Sequence, residues 1–207
     1  MKRILILLVV VFLGFQAVYP VQVFASDTEK NRASVRSGPF GFSMGMSFEE
    51  VGVSQSDKAG VFKIDPPLPH SMFPDVYISI TDKYGLCGVR ASTELIVDSG
   101  SGNNIKAAYR EAVERLSAKY GEPSDIFETV FPEYENRPLM WMMALWLNKA
   151  YLMTSWDGED LNRQDIATLG VSAKAFSVVK GAVEVVYEFD NYAACLKYQK
   201  DLEDKSL

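Results

Sequence analysis

The chain has 207 residues, is 48% hydrophobic and 12% aromatic, and carries a formal net charge of −6. This composition is typical of a globular protein and excludes an intrinsically disordered one. Because the charge is negative and no cluster of Lys and Arg follows Arg3, we expect no binding to nucleic acid, whose phosphates repel an acidic surface.

The first 25 residues have the organisation of a secretory signal peptide. A basic start precedes an apolar run over 4–15, and Ala25 ends the segment before polar residues begin. An uncleaved membrane anchor is the alternative, because the apolar span approaches the roughly 20 residues that cross a bilayer, but Gln16 and Pro20 interrupt it. We therefore expect cleavage after Ala25, a soluble periplasmic or secreted protein, and no transmembrane segment after cleavage.

Two further divisions of the chain follow from composition. Residues 26–38 are polar and lack an apolar period, so they predict a flexible lead-in. Residues 39–207 then form one domain, since their number lies within the usual range for a single domain.

The two cysteines, Cys87 and Cys195, belong to a chain that we expect to enter an oxidising compartment. Two exported thiols favour one disulfide, and the alternative is a pair of buried free thiols that act as small apolar side chains. Both interpretations stay open at this point, because the sequence does not give the distance between them.

A short helix is predicted from Ser47. Ser47 and Glu50 have the spacing of a capping box, in which each side chain bonds the other residue's backbone N–H. Met46 can pack on Val51 across this turn, and Gly52 limits the helix to a few residues.

A proline-rich connection and a β-hairpin come next. Four prolines between Lys63 and Asp75 remove backbone donors and predict an extended surface segment. Residues 76–81 alternate apolar and polar side chains with the two-residue period of a strand, and 86–97 return with Cys87 on the apolar side.

The most regular helical period lies at 105–120, where apolar residues recur every three or four positions. Asn103 or Asn104 can cap this helix. Gly121 followed by Pro123 ends it, because glycine accepts the left-handed conformation and proline cannot continue a helix.

The apolar segment 137–157 has two interpretations. One is a helix beginning at Pro138 and followed by a strand over 150–156; the other is a hairpin that turns at Asn148. We favour helix then strand, because proline suits the first helical position. The side chains expected to face inward from this helix are Leu139, Met142, Met143 and Trp146.

Strands over 166–173 and 182–190 and a helix from Asn191 complete the predicted elements. Tight turns between the strands favour antiparallel pairing, and an antiparallel sheet covers its apolar side with helices. The predicted fold class is therefore α+β, with a mostly antiparallel sheet and helices packed on one face.

The stretch Gly41–Gly45 has the pattern G-x-S-x-G, which in many hydrolases presents a nucleophilic serine on a turn between a strand and a helix. Ser43, Asp65 and His70 follow the order serine, acid, base, so a small serine hydrolase is an alternative function. That turn requires a strand of a large parallel sheet before the serine, and little ordered structure is predicted before Gly41. We therefore expect no catalytic residue and no enzymatic activity.

A second alternative is a periplasmic Cu(I)-binding protein, because thioether and imidazole groups suit that ion. No local spacing brings such groups together, and no segment has the calcium-binding loop with its closing glutamate. We expect no metal site and no cofactor. The side chains that could gather around Cu(I) are Met44, Met46, His70, Met72, Met140, Met142 and Met143.

The stretch "FGFSMGMSFEEV", residues 40–51, resembles the opening of the SmpA/BamE outer-membrane assembly lipoproteins and of β-lactamase-inhibitor-like domains, where a similar motif begins the first helix. The helix ending in "KYGEP", residues 119–123, is similar to segments of uncharacterised exported bacterial proteins. The chain differs from the lipoproteins in having no cysteine near the cleavage site. The resemblance implies a small exported module with a binding or assembly role.

The sequence thus favours a soluble, exported, non-enzymatic binding or envelope-assembly protein, whose partner is an exported or envelope protein. Binding is expected at the proline-rich segment and at any exposed part of the Met- and Trp-rich segment, because an exposed apolar patch marks a partner site. The residues expected to contact the partner are His70, Met72, Trp141 and Trp146.

Overall fold

A computed structural model of the chain describes residues 38–54, 58–158, 161 and 165–205. The predicted signal peptide and nearly all of the predicted lead-in lie outside the described residues.

The described residues form eight strands and four α-helices. The strands are β1 (Ala59–Ile64), β2 (Asp75–Thr81), β3 (Gly85–Ser92), β4 (Ile96–Val97), β5 (Asp125–Val130), β6 (Ala150–Asp157), β7 (Ile166–Ser177) and β8 (Lys180–Phe189). The helices are α1 (Asn103–Tyr120), α2 (Pro132–Glu135), α3 (Trp141–Trp146) and α4 (Tyr192–Asp204).

All eight strands belong to one sheet with the order β1-β2-β3-β8-β7-β6-β5, and the short β4 pairs with β8. Each of these pairings is antiparallel. The α+β class and the mostly antiparallel sheet are therefore confirmed. Among the described residues, no helix is long and apolar enough to cross a membrane.

The hydrophobic core lies between α1 and alternate positions of the central strands. Helix α1 contacts β6, β7 and β8, and α3 contacts β6 and β7. The buried side chains of α1 are Ile105, Tyr109, Ala112, Leu116 and Tyr120. They belong to the same core cluster as Leu169, Val171, Val183, Val185 and Tyr187 of β7 and β8. The buried side chains of α1 recur with the helical period, and those of β7 and β8 alternate along each strand.

The limits of α1 agree with the prediction, but its N-terminus is capped differently. Gly121 ends the helix with φ 97° and ψ −172°, a positive-φ conformation outside the predicted left-handed helical region, which glycine adopts because it has no Cβ. Asn103 and Asn104 are the first two helical residues, so neither lies at the cap position. Instead the Asp98 carboxylate accepts the Ile105 backbone N–H at 2.8 Å. The cap comes from the preceding loop, because Asp98 is buried beside the helix end.

Cys87 and Cys195 are joined by a disulfide, with Cα atoms 6.4 Å apart. The register between β2 and β3 shifts between Ser79 and Ile80, and Cys87 is the unpaired residue of that bulge. Helix α4 contacts β2 and β3 at this point. Both cysteines are buried, as predicted, and the bond ties the C-terminal helix to the sheet.

The predicted helix at Ser47 is a single turn. Its capping box is present, since Glu50 accepts the Ser47 backbone N–H at 2.8 Å and Ser47 Oγ accepts the Glu50 N–H at 3.3 Å. Met46 and Val51 are both buried in the core. Gly52 has a φ of 76°, which ends the turn before a second one can form. The capping box therefore forms as predicted, but the helix predicted to follow it does not.

Two other predictions were wrong in part. The return strand stops at Ser92, so Leu95 and Val97 are exposed rather than inward. Helix then strand is confirmed at 141–157, with the break at Asn148, but Leu139 is 76% and Trp146 is 49% exposed. A helix of only six residues has a short inward face, and the buried side chains on it are Trp141, Met142, Ala144 and Leu145.

Candidate ligand-binding cavity at His70

A cavity of about 270 Å³ lies between the proline-rich segment, the first described turn and the C-terminal half of α1. We call it the His70 cavity. Its lining comes from four parts of the fold: the 3-10 turn at Pro39–Gly41, the segment around His70, one side of α1, and β8. The lining residues are Gly38, Pro39, Phe40, Leu68, Pro69, His70, Phe73, Ala112, Arg115, Leu116, Lys119 and Tyr187.

The proline-rich segment is held against the N-terminal turn by backbone contacts. Leu68 donates its backbone N–H to the Phe40 carbonyl at 3.0 Å, and Phe73 donates to the His70 carbonyl at 3.0 Å. Gly41 has a φ of 84°, and a Cβ there would lie 3.0 Å from the Pro67 side chain. Glycine is therefore required at this position both for its conformation and for the close approach of the loop.

Phe40 has an unusual backbone conformation, with φ 55° and ψ 18°. This left-handed region is disfavoured for a bulky residue and costs on the order of 1–3 kcal/mol. Its ring makes edge-to-face contacts with Phe73 at 6.5 Å and with Tyr187 at 6.2 Å between centroids. Such pairs contribute roughly 0.5–1.5 kcal/mol each, so the ring contacts offset the backbone cost. The result is an aromatic wall on one side of the cavity.

His70 is exposed at the mouth of the cavity, with its ring 5.7 Å from the Phe73 ring. Its Nδ1 accepts the Met72 backbone N–H at 3.2 Å. In the neutral imidazole one nitrogen accepts and the other carries the proton, so this contact places the proton on Nε2. His70 therefore offers an N–H donor, for which the described residues contain no hydrogen-bond partner.

Arg115 and Lys119 add two permanent positive charges to the rim. They lie one helical turn apart on α1, beside Ala112 and Leu116 of its buried stripe. Arg115 binds Glu111 through Nε at 3.0 Å and Nη2 at 2.7 Å, which leaves Nη1 facing away from that pair. Lys119 Nζ lies 4.9 Å above the Tyr120 ring.

No Asp or Glu lines the cavity among the residues that the structure describes. The charged side chains of this lining are Arg115 and Lys119, although the chain has a net charge of −6, and Arg115 is ion-paired with Glu111. Aromatic and aliphatic walls suit the body of an organic ligand, and the three basic groups suit an anionic head. The cavity can therefore hold an amphipathic anion.

The four residues that the sequence singled out for binding do not gather at one place. Trp146 is half-exposed at the C-terminal end of α3 and lines another cleft, with Asn148 and Phe176. Met72 is next to His70 and packs partly buried against the core. Trp141 is buried near the other end of α1, under Lys106 Nζ, which is 4.1 Å from the ring centroid. Burial lowers the pKa of Lys106, and repulsion from Arg110 lowers it further. Lys106 and Lys119 are separated by about 20 Å along the helix, so these places are distinct.

The side chains of the two alternative hypotheses are also spread over the fold. Ser43 is not part of the cavity lining; its backbone N–H donates to Met46 Sδ at 3.2 Å. Met46 and Met142 are buried in the core, whereas Met44 is exposed. Within the described ranges, no group of three or more His, Cys, Asp or Glu residues has the geometry of a metal site.

Phe40, Arg115 and Lys119 are lining residues that sequence reasoning did not single out. Arg115 forms an ion pair with Glu111 on the exposed side of α1. Basic residues one turn apart beside an apolar stripe are typical of any amphipathic helix, so the sequence contains no signal that marks Arg115 and Lys119 as lining residues. Phe40 carries no signal either, because its position depends on a left-handed turn. No protein-family model, no curated protein and no solved structure matches this chain.

Proposed function

We propose that this protein is an exported, non-enzymatic binding protein whose ligand is an amphipathic organic anion held in the His70 cavity. The observation that carries the proposal is the apolar cavity with three basic side chains at its rim and no acidic side chain in its described lining. In this proposal α1 and α3 form one helical layer on the sheet, and α1 supplies the basic wall. In an envelope-assembly role, the protein would carry such a molecule, or would bind a partner protein by holding the partner's own anionic and apolar group in this cavity.

The two parts of the ligand interact with different walls. The Phe40, Phe73 and Tyr187 rings and the Leu116 side chain contact the apolar body, and burial of each methylene group contributes about 0.8 kcal/mol. The head group accepts from His70 Nε2–H and pairs with Lys119. Charge-assisted hydrogen bonds of this kind are worth about 1.5–3 kcal/mol.

Calorimetric titration with straight-chain carboxylates tests whether the apolar tail and the anionic head group each contribute to binding. From hexanoate to octanoate, affinity should rise about fourfold for each added methylene, as expected from 0.8 kcal/mol per group. Decanol and decyltrimethylammonium, which have the same tail without the negative charge, should bind at least tenfold more weakly than decanoate. Equal binding of all three decyl compounds, or no binding of decanoate, would contradict the proposal.

Variants locate the site. Lys119→Glu should weaken decanoate binding at least tenfold, because it places a negative charge beside the head group. Leu116→Trp should abolish binding by filling the cavity. Arg110→Glu is the matched control, since it makes the same charge change on α1 outside the cavity lining. If Arg110→Glu weakens binding as much as Lys119→Glu, the ligand does not occupy the His70 cavity.

Export has its own test. The Cys87–Cys195 disulfide supports an oxidising compartment, where such bonds persist. Cell fractionation followed by mass spectrometry should find the protein outside the cytoplasm with residue 26 at its N-terminus. An intact N-terminus on cytoplasmic protein would contradict export while leaving the ligand proposal untouched.

A further inference from the structure

Strand β5 forms one edge of the sheet. It pairs with β6 on one side, and no other described strand pairs with it. Its side chains are more exposed than those of any central strand, with Ile126 57% and Phe127 50% exposed. An open edge presents backbone N–H and C=O groups that can pair with another strand.

The backbone groups that face outward on β5 follow from its pairing with β6. Phe131 donates its N–H to the Lys149 carbonyl at 2.8 Å, in the register that pairs Phe127 with Met153. Backbone groups alternate in direction along an antiparallel strand. Asp125, Phe127 and Thr129 therefore face β6, and the N–H and C=O groups of Ile126, Glu128 and Val130 face outward.

We propose that β5 pairs antiparallel with β5 of a second copy of this chain, with Phe127 directly opposite Phe127. Outward-facing residues must oppose outward-facing residues for the hydrogen bonds to form. This excludes the registers that oppose even-numbered with odd-numbered residues. Two centred registers remain: one places Phe127 opposite Phe127, the other Glu128 opposite Glu128.

Charge selects between these two registers. Glu128 opposite Glu128 brings like charges face to face, which is destabilising in a strand pair. Phe127 opposite Phe127 instead makes an aromatic pair at a non-hydrogen-bonded position, where side chains are closest. Asp125 then lies opposite Thr129, whose hydroxyl can donate to the carboxylate. Four hydrogen bonds join the Ile126 and Glu128 backbones of the two copies.

The surroundings of Phe127 favour this pairing. Its ring already contacts the Tyr151 ring at 5.7 Å, so the pair extends an aromatic row across the two copies. Directly opposed residues of an antiparallel pair project from the same side of the sheet. Because Phe127 is opposite Phe127, the two sheets therefore join with equivalent faces on the same side. The opposite edge, β1, contains Lys63, and lysine on an edge strand opposes such pairing. β5 contains no lysine and no proline, and its two charged residues, Asp125 and Glu128, lie opposite Thr129 and Ile126 in this register.

Cysteine cross-linking tests the register. Cys87 and Cys195 are already bonded, so an introduced cysteine is the single thiol of each chain. Phe127→Cys should form an intermolecular disulfide under mild oxidation at least tenfold faster than Glu128→Cys or Val61→Cys, the last being a control on the β1 edge. The proposal is overturned if Phe127→Cys reacts no faster than Val61→Cys, or if Glu128→Cys reacts fastest.

Oppositely charged variants at Phe127 test the contact between the two β5 strands without cross-linking. Sedimentation of the unaltered protein should show a concentration-dependent dimer. Phe127→Lys and Phe127→Glu should each lower the dimer association constant about tenfold or more, and an equimolar mixture of the two should recover it as a heterodimer. A wild-type protein that stays monomeric at high concentration, or a mixture that does not recover, overturns the pairing.

Discussion

Cys87 and Cys195 lie 108 positions apart in the chain and are joined by a disulfide that connects the β3 bulge to α4. The bond closes a long loop, and in the chain-entropy model such closures stabilise mainly by restricting the unfolded chain. Its removal should therefore lower stability without changing the core that α1 forms with the sheet.

We expect Cys87→Ala/Cys195→Ala to lower the free energy of unfolding by about 2–5 kcal/mol. Urea unfolding followed by circular dichroism gives this value. Reductant should destabilise the unaltered protein and leave the double variant unchanged. Equal stability of the two proteins would show that the bond does not restrict the unfolded state.

Asp98 supports the fold by capping α1 from the preceding loop. Its two carboxylate oxygens accept the Ser99 N–H at 2.7 Å and the Ile105 N–H at 2.8 Å. Asp98→Ala should cost about 1–3 kcal/mol in urea unfolding, because a buried helix N–H loses its acceptor. The same change at the exposed Asp125 should cost less than about 0.5 kcal/mol. Similar losses at both positions would contradict a capping role for Asp98.

The Tyr109 and Thr154 hydroxyls form a buried hydrogen bond of 2.6 Å between α1 and β6. Tyr109→Phe should lower the free energy of unfolding by about 1–2 kcal/mol, since Thr154 then keeps a buried hydroxyl without a partner. Adding Thr154→Val should recover part of the loss, because removing both polar groups avoids that penalty. An additive double variant would indicate that the hydroxyls do not interact.

Glu50 provides a prediction on pH. Hydrogen bonds from the Ser47 backbone N–H and then from its side chain lower the pKa of Glu50. A lowered pKa means that the contact stabilises the fold at pH values above the unfolded pKa, and the stabilisation is lost as the pH falls through the folded pKa. Ser47→Ala should raise the pKa of Glu50 only in part, because the larger, backbone contribution stays.

Carboxyl chemical shifts in NMR titrations measure this change, and Ser43→Ala is the control. Ser47→Ala should also cost about 0.5–1 kcal/mol of stability, whereas Ser43→Ala should cost little. A larger effect at Ser43 than at Ser47 on either quantity would contradict this assignment of the two serines.

Sequence patterns predicted the elements whose side chains obey one clear period. Helix α1 has an apolar residue at every third or fourth position, and β8 alternates buried and half-buried side chains from Val183 to Phe189, so both were placed within a few residues. Strand β5 was not predicted, because Ile126 and Phe127 are adjacent apolar residues and both faces of this edge strand are exposed. A strand without a buried face gives no alternation to detect.

The sequence by itself determined the local chemistry: the capping box at Ser47, the end of α1 at Gly121, the inward direction of both cysteines and the α+β class. These features depend on residues within a few positions of one another. Tertiary structure alone decided which separate elements meet: the Asp98 loop at the end of α1, Phe40 against Tyr187, and Lys119 in the lining of the same cavity as His70. Such contacts depend on how the sheet, the proline-rich segment and α1 pack together, and the period of no single segment specifies that packing.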